Sequence, residues 1–383
     1  MNKIWKNDHG DFEPSDDADL RFVYKNQNIE QYLNSSSTNY FLVGRKGVGK
    51  SLMIKYKSYL FRNRTYKDKG VHFIPKQQLV EKISIDLNTL SKKDLLTFSK
   101  VSIWKSIWKF TIMYMVCRAA GVPIDKEIKQ SVEGMDNISS ILGLVLLNRG
   151  KIGKYALYNI KLLNLTKKIQ NGVVVFIDNF DQVFEEVLLD NHYTDELNPV
   201  GKSPAVKFWI NAQNALMSAI YEINQSNSHV KIFTTIRQEA FNEYKGAMKQ
   251  NLRSYSSFLD YSKIEIKEIF LNRLKELKRL RTISNSELIK RFIGFDKMEH
   301  PLAKDEEGNY RVENVFDFLY RHTYGRPREI LIFGKRLEEL VDEHEFNELP
   351  LEDKVFKIRL AINEDSHKIL FNDYNSRFAE KSA

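Results

Sequence analysis

Three stretches of the sequence predict an α/β fold: a three-layer domain around a mainly parallel sheet, followed by an α-helical domain. The first is Tyr40-Phe41-Leu42-Val43, an apolar run that breaks into a glycine-rich loop and then into helical spacing at Leu52, Met53, Tyr56 and Leu60. The second is Val173-Val174-Val175-Phe176-Ile177, a β-branched run that suits a strand buried on both faces of a parallel sheet. The third is a change of character at Ser262. There Ser262-Lys263-Ile264-Glu265 reads as a capping box, and Ile266, Ile269, Phe270, Leu274 and Leu277 follow at helical spacing. These signals divide the chain into a polar segment at 1–37, a core at 38–262 with a helical insertion at about 92–170, and a helical domain at 263–383.

Composition sets the frame for these elements. At 383 residues, 42% hydrophobic and 28% charged, the chain can bury an ample core and reads as a soluble globular protein. Cys117 is the one cysteine, so neither an intrachain disulfide nor a cysteine-cluster metal site can form. The longest apolar run near the middle, Phe110 to Cys117, is far too short to span a membrane, and the N-terminus has no signal-peptide pattern. A cytoplasmic protein without membrane contact is expected. The chain closes on a polar stretch with no packing signal, which leaves room for a longer natural chain. The net charge of +9 permits nucleic-acid binding without requiring it.

The loop itself is Gly44-Arg45-Lys46-Gly47-Val48-Gly49-Lys50-Ser51, the G-x-x-x-x-G-K-S phosphate-binding pattern, running into Leu52. Its glycines let successive backbone N–H groups face one anion at the positive end of the new helix. Lys50 would reach the β- and γ-phosphates, and the Ser51 hydroxyl would ligate Mg²⁺. A surface loop can hold three glycines, but not easily with Lys-Ser in register between strand and helix. A bound nucleoside triphosphate follows.

In order along the chain, a helix is expected at Asn28–Leu33, ahead of the first strand. Phe22 and Tyr24 either flank a nucleotide base or simply pack. Ile83-Ser84-Ile85-Asp86-Leu87 alternates as a second strand would. Val101, Trp104, Trp108, Ile112 and Met115 then line one helical face, a spacing that favours core over a base-stacking platform. Asp178 ends the β-branched strand at the carboxyl edge of the sheet, where it is the natural Mg²⁺ partner of Ser51 through water. Asp181 follows three residues later, either as a turn and helix cap or as a catalytic carboxylate, with Glu185 and Glu239 the next candidates. Residues 190–204 read as a long loop, a helix follows at Ala205–Asn224, and a strand at Val230–Arg237. A short strand near Tyr255–Leu259 closes the sheet. Beyond it only helices are expected, at about 263–281, 285–293, 313–323, 327–341 and 351–372, with Asp296–Asn309 as loop. Lys275, Lys278, Arg279 and Arg281 make a basic segment where nucleic acid would bind.

The phosphate loop, Ile177-Asp178-Asn179-Phe180-Asp181, Thr234-Thr235-Ile236-Arg237 and Tyr324-Gly325-Arg326-Pro327-Arg328 together resemble the additional-strand P-loop ATPases. More narrowly, the chain resembles the signal-transduction (STAND) and origin-recognition branches related to AAA+ ATPases, of the bacterial kind associated with mobile elements and phage defence. The resemblance covers about residues 15–375. It implies a P-loop NTPase domain followed by a helical lid, with ATP and Mg²⁺ as the bound nucleotide and metal. It implies that Asp178 coordinates the metal, that Arg237 senses the γ-phosphate, and that Arg328, or its neighbour Arg326, is the lid sensor. ATP rather than GTP also fits the lack of an N-K-x-D motif. One position departs: many hydrolytic relatives carry an acid directly after the metal-binding Asp, where this chain has Asn179, so the base would be Asp181 or turnover would be slow. The implied function is a nucleotide-dependent ATPase switch, acting as a homo-oligomer or on an effector protein. The alternative is a nucleotide-locked scaffold that binds DNA or a protein partner and hardly turns over.

Overall fold

The computed structural model describes residues 24–34, 37–62, 76–83, 97–98, 100–178, 204–304 and 306–381. Asp181, Asn179, Phe180, Glu185, Phe22 and the loop before Pro204 lie outside the described residues, so the roles expected of them have no structural account.

Five strands form one all-parallel sheet: β1 (Phe41–Gly44), β2 (Gln77–Lys82), β3 (Val173–Asp178), β4 (Val230–Arg237) and β5 (Ser256–Phe258), in the spatial order β2-β3-β4-β1-β5. Helix α1 (Gln27–Leu33) precedes β1 and α2 (Lys50–Arg62) follows it. Among the described residues, the α-helices between β2 and β3 are α3 (Val101–Ala119), α4 (Lys126–Ser131), α5 (Ile138–Leu147) and α6 (Ile152–Thr166). Then come α7 (Pro204–Ser226) before β4, and α8 (Gln238–Asn242) and α9 (Lys249–Ser254) before β5. Parallel strands joined by right-handed crossovers place each connection on a face set by its direction across the sheet. The step from β1 to β2 runs one way and carries α2. Every later step runs the other way and carries α3 to α9 on the opposite face. The sheet is therefore a middle layer.

The burial pattern follows from that position. All six residues of β3 and all four of β1 are buried, as β-branched and aromatic strands covered on both faces must be. Trp104 and Trp108 on α3 are fully buried; Trp104 meets Phe208 edge-on at 5.3 Å, and Trp108 Nε1 donates to the Ala212 carbonyl at 3.1 Å. These rings are core between α3 and α7, as their spacing suggested. At roughly 25 cal/mol per Å² over some 200 Å², each stabilises the fold by about 5 kcal/mol at most.

Two sequence expectations need correction. The second strand among the described residues is Gln77–Lys82, ahead of the expected Ile83–Leu87; Ile83 is past its end, and residues 84–87 lie outside the described residues. Its hydrogen-bonded neighbour is β3 alone, so it lies at the edge of the described sheet, with Gln77, Val80 and Lys82 exposed. An edge strand needs no apolar run, and the polar sequence hid it.

The second correction concerns the later part of the chain, which is not all helical. Two compact units divide the described chain: one comprises Lys25–Lys46 and Lys50–Leu259, the other Asp260–Asn375 together with Gly47–Gly49. The latter holds α10 (Lys263–Leu274), α11 (Leu288–Ile293), α12 (Val315–Arg321), α13 (Pro327–Asp342), α14 (His344–Glu348) and α15 (Leu351–Lys381) as far as Asn375. The capping box at its start is present, with the Glu265 N–H donating to Ser262 Oγ at 3.3 Å and the Ser262 N–H to Glu265 Oε2 at 2.7 Å. The stretch expected as loop instead pairs β6 (Lys297–Lys304) with β7 (Tyr310–Asn314) as an antiparallel hairpin. On β7, Tyr310, Arg311 and Val312 are all exposed, so no apolar alternation announced it. Tyr24 belongs here too: its hydroxyl donates to Glu268 Oε2 at 2.8 Å and its ring meets Tyr261 edge-on at 6.3 Å.

Candidate functional site

The carboxyl ends of β1, β3 and β4 lie side by side, and each carries a residue the sequence singled out. Register sets their heights. Gly44, the first loop residue, is paired with Arg237 across β1 and β4, and Ile177 is paired with Thr234 across β3 and β4. Asp178 and Thr235, one residue further on, are therefore level. The site grows from where these three strands stop.

β1 ends at Gly44, and Arg45 to Gly49 form the turn into α2. Gly47 and Gly49 have φ of +82° and +92°, values that side-chain-bearing residues rarely adopt, so these glycines permit a turn that other residues would resist. Val48 is buried and pins the turn, while Arg45 is exposed and Lys46 half-buried. Helix α2 begins at Lys50, so the first N–H groups of a 13-residue helix, from Lys50 through Leu52, open onto the loop with a partial positive charge. The Lys50 ammonium is buried and donates to the Arg45 carbonyl at 3.1 Å, bridging the loop from end to end.

Asp178 supplies the negative pole. Its Oδ1 accepts from Ser51 Oγ at 3.2 Å and from Thr235 Oγ1 at 2.8 Å, and the residue is buried along with Thr235. The expected pair of Ser51 and Asp178 is thus brought together across 127 residues of chain. Both groups present hard oxygen donors, the type Mg²⁺ prefers, and Mg²⁺ commonly uses one carboxylate with phosphates and waters completing its shell. The residues present fit that ion.

Arg237 ends β4 and is almost fully buried. Its backbone N–H donates to Gln213 Oε1 at 3.0 Å, and Gln213, on α7, is 1% exposed. The sequence pointed to neither Thr235 as a partner of Asp178 nor Gln213 as a holder of the β4 end. The available signal for Gln213 was Asn211, Gln213 and Asn214 interrupting an otherwise apolar helix face. Polar groups in such a place are there to bond something.

In the unit that contains Gly47–Gly49, the Arg328 N–H donates to the Gly47 carbonyl at 3.3 Å. A Cβ added at Gly47 would lie 3.4 Å from Arg328 Cβ and 3.6 Å from Arg326 Cδ. The two candidate arginines differ. Arg326 is buried, its Nε is 3.3 Å from Glu329 Oε1, and its guanidinium lies 4.8 Å from the Tyr324 ring centre. Arg328 is half-buried and has no ion pair among the described residues.

Neither a protein-family model nor a curated protein matches this chain.

Elsewhere, the titratable groups bear on what chemistry is available. Burial pushes the Cys117 thiol up to about 11, so it offers no thiolate at neutral pH. Glu81 is raised by burial; its carboxylate accepts the Ile138 N–H at 3.0 Å and so caps α5. Among the described residues, no helix is long and apolar enough to cross a membrane.

Proposed function

We propose that the chain is a Mg-ATP-binding P-loop ATPase that works as a nucleotide-dependent switch, with the helical unit as its lid. The observation that carries this reading is the Ser51–Asp178 contact at 3.2 Å, placed directly beside the Lys50 loop. Strand order supports it further. β4 stands between the strand leading into the loop and the strand ending in Asp178, which is the arrangement the additional-strand resemblance requires.

In this reading the loop N–H groups and the Lys50 ammonium bind the phosphates and orient the terminal one. Ser51 and Asp178 hold the metal, which when bound supplies positive charge against the phosphate oxygens. Thr235 fixes the Asp178 carboxylate in one orientation. Arg237 and Arg328 offset the charge that develops at the transferred group, and Asp181 orients the attacking water. Asn179 directly after Asp178 favours slow turnover, which keeps the nucleotide-locked scaffold as the second reading. A role in bacterial antiphage defence, acting through self-assembly or an effector protein, rests on the family resemblance.

Phosphate release from ATP, measured with and without Mg²⁺, tests the reading. Metal-dependent release that is lost in Ser51→Ala supports it. Tight metal-dependent binding without release selects the scaffold, and no nucleotide binding at all overturns both.

A further inference from the structure

Between α10 and α11, the helical unit carries a run of cations that the nucleotide reading does not use. Leu280 is buried and pins a short 3₁₀ turn, Lys278–Leu280, and that turn packs beside α11, whose buried face is Leu288, Ile289, Phe292 and Ile293. Lys278, Arg279 and Arg281 on the turn, and Lys290 and Arg291 on α11, are all exposed. None has an ion-pair or hydrogen-bond partner for its side chain among the described residues.

Other cations of the unit behave differently. Lys263 pairs with Asp317 at 2.8 Å, Arg273 with Glu276 at 3.0 Å, Arg321 with Glu313 at 3.0 Å and Lys357 with Glu343 at 3.6 Å. Five cations on this turn and the helix packed beside it repel one another, and only one acid lies in the stretch that carries them. Glu287 is the sole acid from Lys278 through Arg291, and it forms no ion pair among the described residues.

We infer that this surface binds the phosphate backbone of duplex nucleic acid without reading its sequence. The groups between the cations are Thr282, Ser284, Asn285 and Ser286, all exposed, and hydroxyl and amide groups of this kind contact phosphate and sugar oxygens. No aromatic residue occurs from Lys275 to Arg291, so there is no platform on which unpaired bases would stack. The apolar side chains of the segment are buried or half-buried, which leaves nothing to insert into a lipid surface. The hairpin β6–β7 is no part of the surface, since Glu299, Glu306, Glu307 and Glu313 outnumber its cations Lys297, Lys304 and Arg311.

The test is fluorescence anisotropy of a labelled 20-base-pair duplex with the full chain at 50 and 200 mM NaCl. With about five phosphates neutralised, the logarithmic salt slope is about −4.5, and affinity falls roughly 500-fold between the two salts. The triple variant Lys278→Ala/Arg279→Ala/Arg281→Ala should lose at least tenfold in affinity at 50 mM and bring the slope to about −2. Lys126→Ala/Lys129→Ala/Lys167→Ala removes the same net charge from exposed sites on the other unit and should leave binding unchanged. The Lys278→Ala/Arg279→Ala/Arg281→Ala variant should bind ATP like the wild type, which separates this surface from the nucleotide loop. The inference is overturned by absence of binding at about 100 µM protein in 50 mM NaCl, the weak end of non-specific affinities, by equal loss in both triple variants, or by preference for single strands or anionic vesicles over duplex.

Discussion

The Thr235 hydroxyl donates to Asp178 Oδ1 at 2.8 Å, on the same oxygen that Ser51 reaches at 3.2 Å. One carboxylate oxygen thus ties β4 to β3 and faces the first turn of α2. Thr235 is 2% exposed, so its hydroxyl has no water to turn to and its bond holds the carboxylate still. Thr235→Val keeps the shape and removes the donor. A hydrogen bond to a charged group is worth about 1.5–3 kcal/mol. The Mg²⁺-dependent part of nucleotide affinity should weaken about tenfold or more, and Thr235→Ser should restore it. Calorimetry of ATP binding across a Mg²⁺ series measures both.

Lys50→Ala should abolish or severely weaken nucleotide binding while the chain stays folded. Its ammonium bridges the loop to the Arg45 carbonyl. Loss of a charge-assisted phosphate contact costs about 1.5–3 kcal/mol, or ten- to a hundredfold in affinity. Unchanged ATP affinity by calorimetry would remove the loop from the nucleotide site.

In the proposed ATPase reading, two carboxylates are candidates for the group that orients water. Asp181 follows Asp178 closely in sequence. Glu239 stands in the first turn of α8, two residues past Arg237, with its Oε2 buried and without a hydrogen-bond partner among the described residues. A water-positioning carboxylate acts mainly in the transition state, so its amide variant should slow release far more than it weakens binding. Asp181→Asn is expected to lower turnover by at least a hundredfold with affinity changed less than threefold. If Asp181→Asn releases phosphate normally and Glu239→Gln does not, the role belongs to Glu239.

What the sequence made legible was whatever a single strand or helix enforces locally. Val173 to Ile177 has to be a central strand because nothing in it tolerates water, and the capping box at Ser262 has to start a helix. Gly47 and Gly49 sit where the loop turns, and the Lys-Ser that follows opens the helix. Long-range pairings were less legible. Ser51 and Asp178 were joined by their expected chemistry, whereas Thr235 looked like one more β-branched strand residue until the sheet set it level with Asp178. The edge strand Gln77–Lys82 and the hairpin at Lys297–Asn314 were missed for a shared reason: each is mostly polar, with few buried side chains among the described residues, so neither shows an apolar alternation. Gly308, in the tip between β6 and β7, was the one local mark of the hairpin.

Lys57 gives a test that does not depend on any ligand. It is fully buried on α2; its ammonium donates to the Tyr32 carbonyl and, at 3.4 Å, to the Asn34 carbonyl, and lies 4.2 Å from the Phe233 ring centre. Those carbonyls close the end of α1, so Lys57 ties α1 to α2. Burial first, and the nearby Lys231 charge second, hold its pKa well below the ordinary 10.5. Between the depressed folded value and 10.5 the unfolded chain binds more protons than the native one, so stability rises with pH through that window. Lys57→Met removes this dependence. The wild type should gain stability over the Met variant as pH rises from 7 to 9.5, by up to about 1.4 kcal/mol per pH unit. Urea unfolding of both proteins at several pH values gives the difference directly. Parallel stability curves would mean that Lys57 keeps its proton when buried.

Arg328 and Arg326 stand two residues apart at the start of α13 but should fail in different ways. A cation in the first turn of a helix is disfavoured by the helix dipole, so each needs something negative opposite it. Arg326 has that in Glu329, which is also buried and whose other oxygen accepts the Tyr324 N–H at 2.7 Å. Arg326→Ala leaves the Glu329 carboxylate buried without its cation, which typically costs about 3–5 kcal/mol, and should lower the melting temperature of the nucleotide-free protein. Arg328 has no such acid among the described residues, while its backbone N–H meets the Gly47 carbonyl. A phosphate on the loop is the anion that would complete it. Arg328→Ala should therefore leave the nucleotide-free melting temperature within about 1 °C, since it breaks no ion pair, and reduce the preference for ATP over ADP about tenfold. ATP-dependent protection of residues 263–281 in hydrogen exchange should disappear in the same variant. If Arg328→Ala keeps both the preference and the protection, the terminal phosphate is sensed elsewhere, and Arg237, held at the end of β4 by Gln213, becomes the residue to change next.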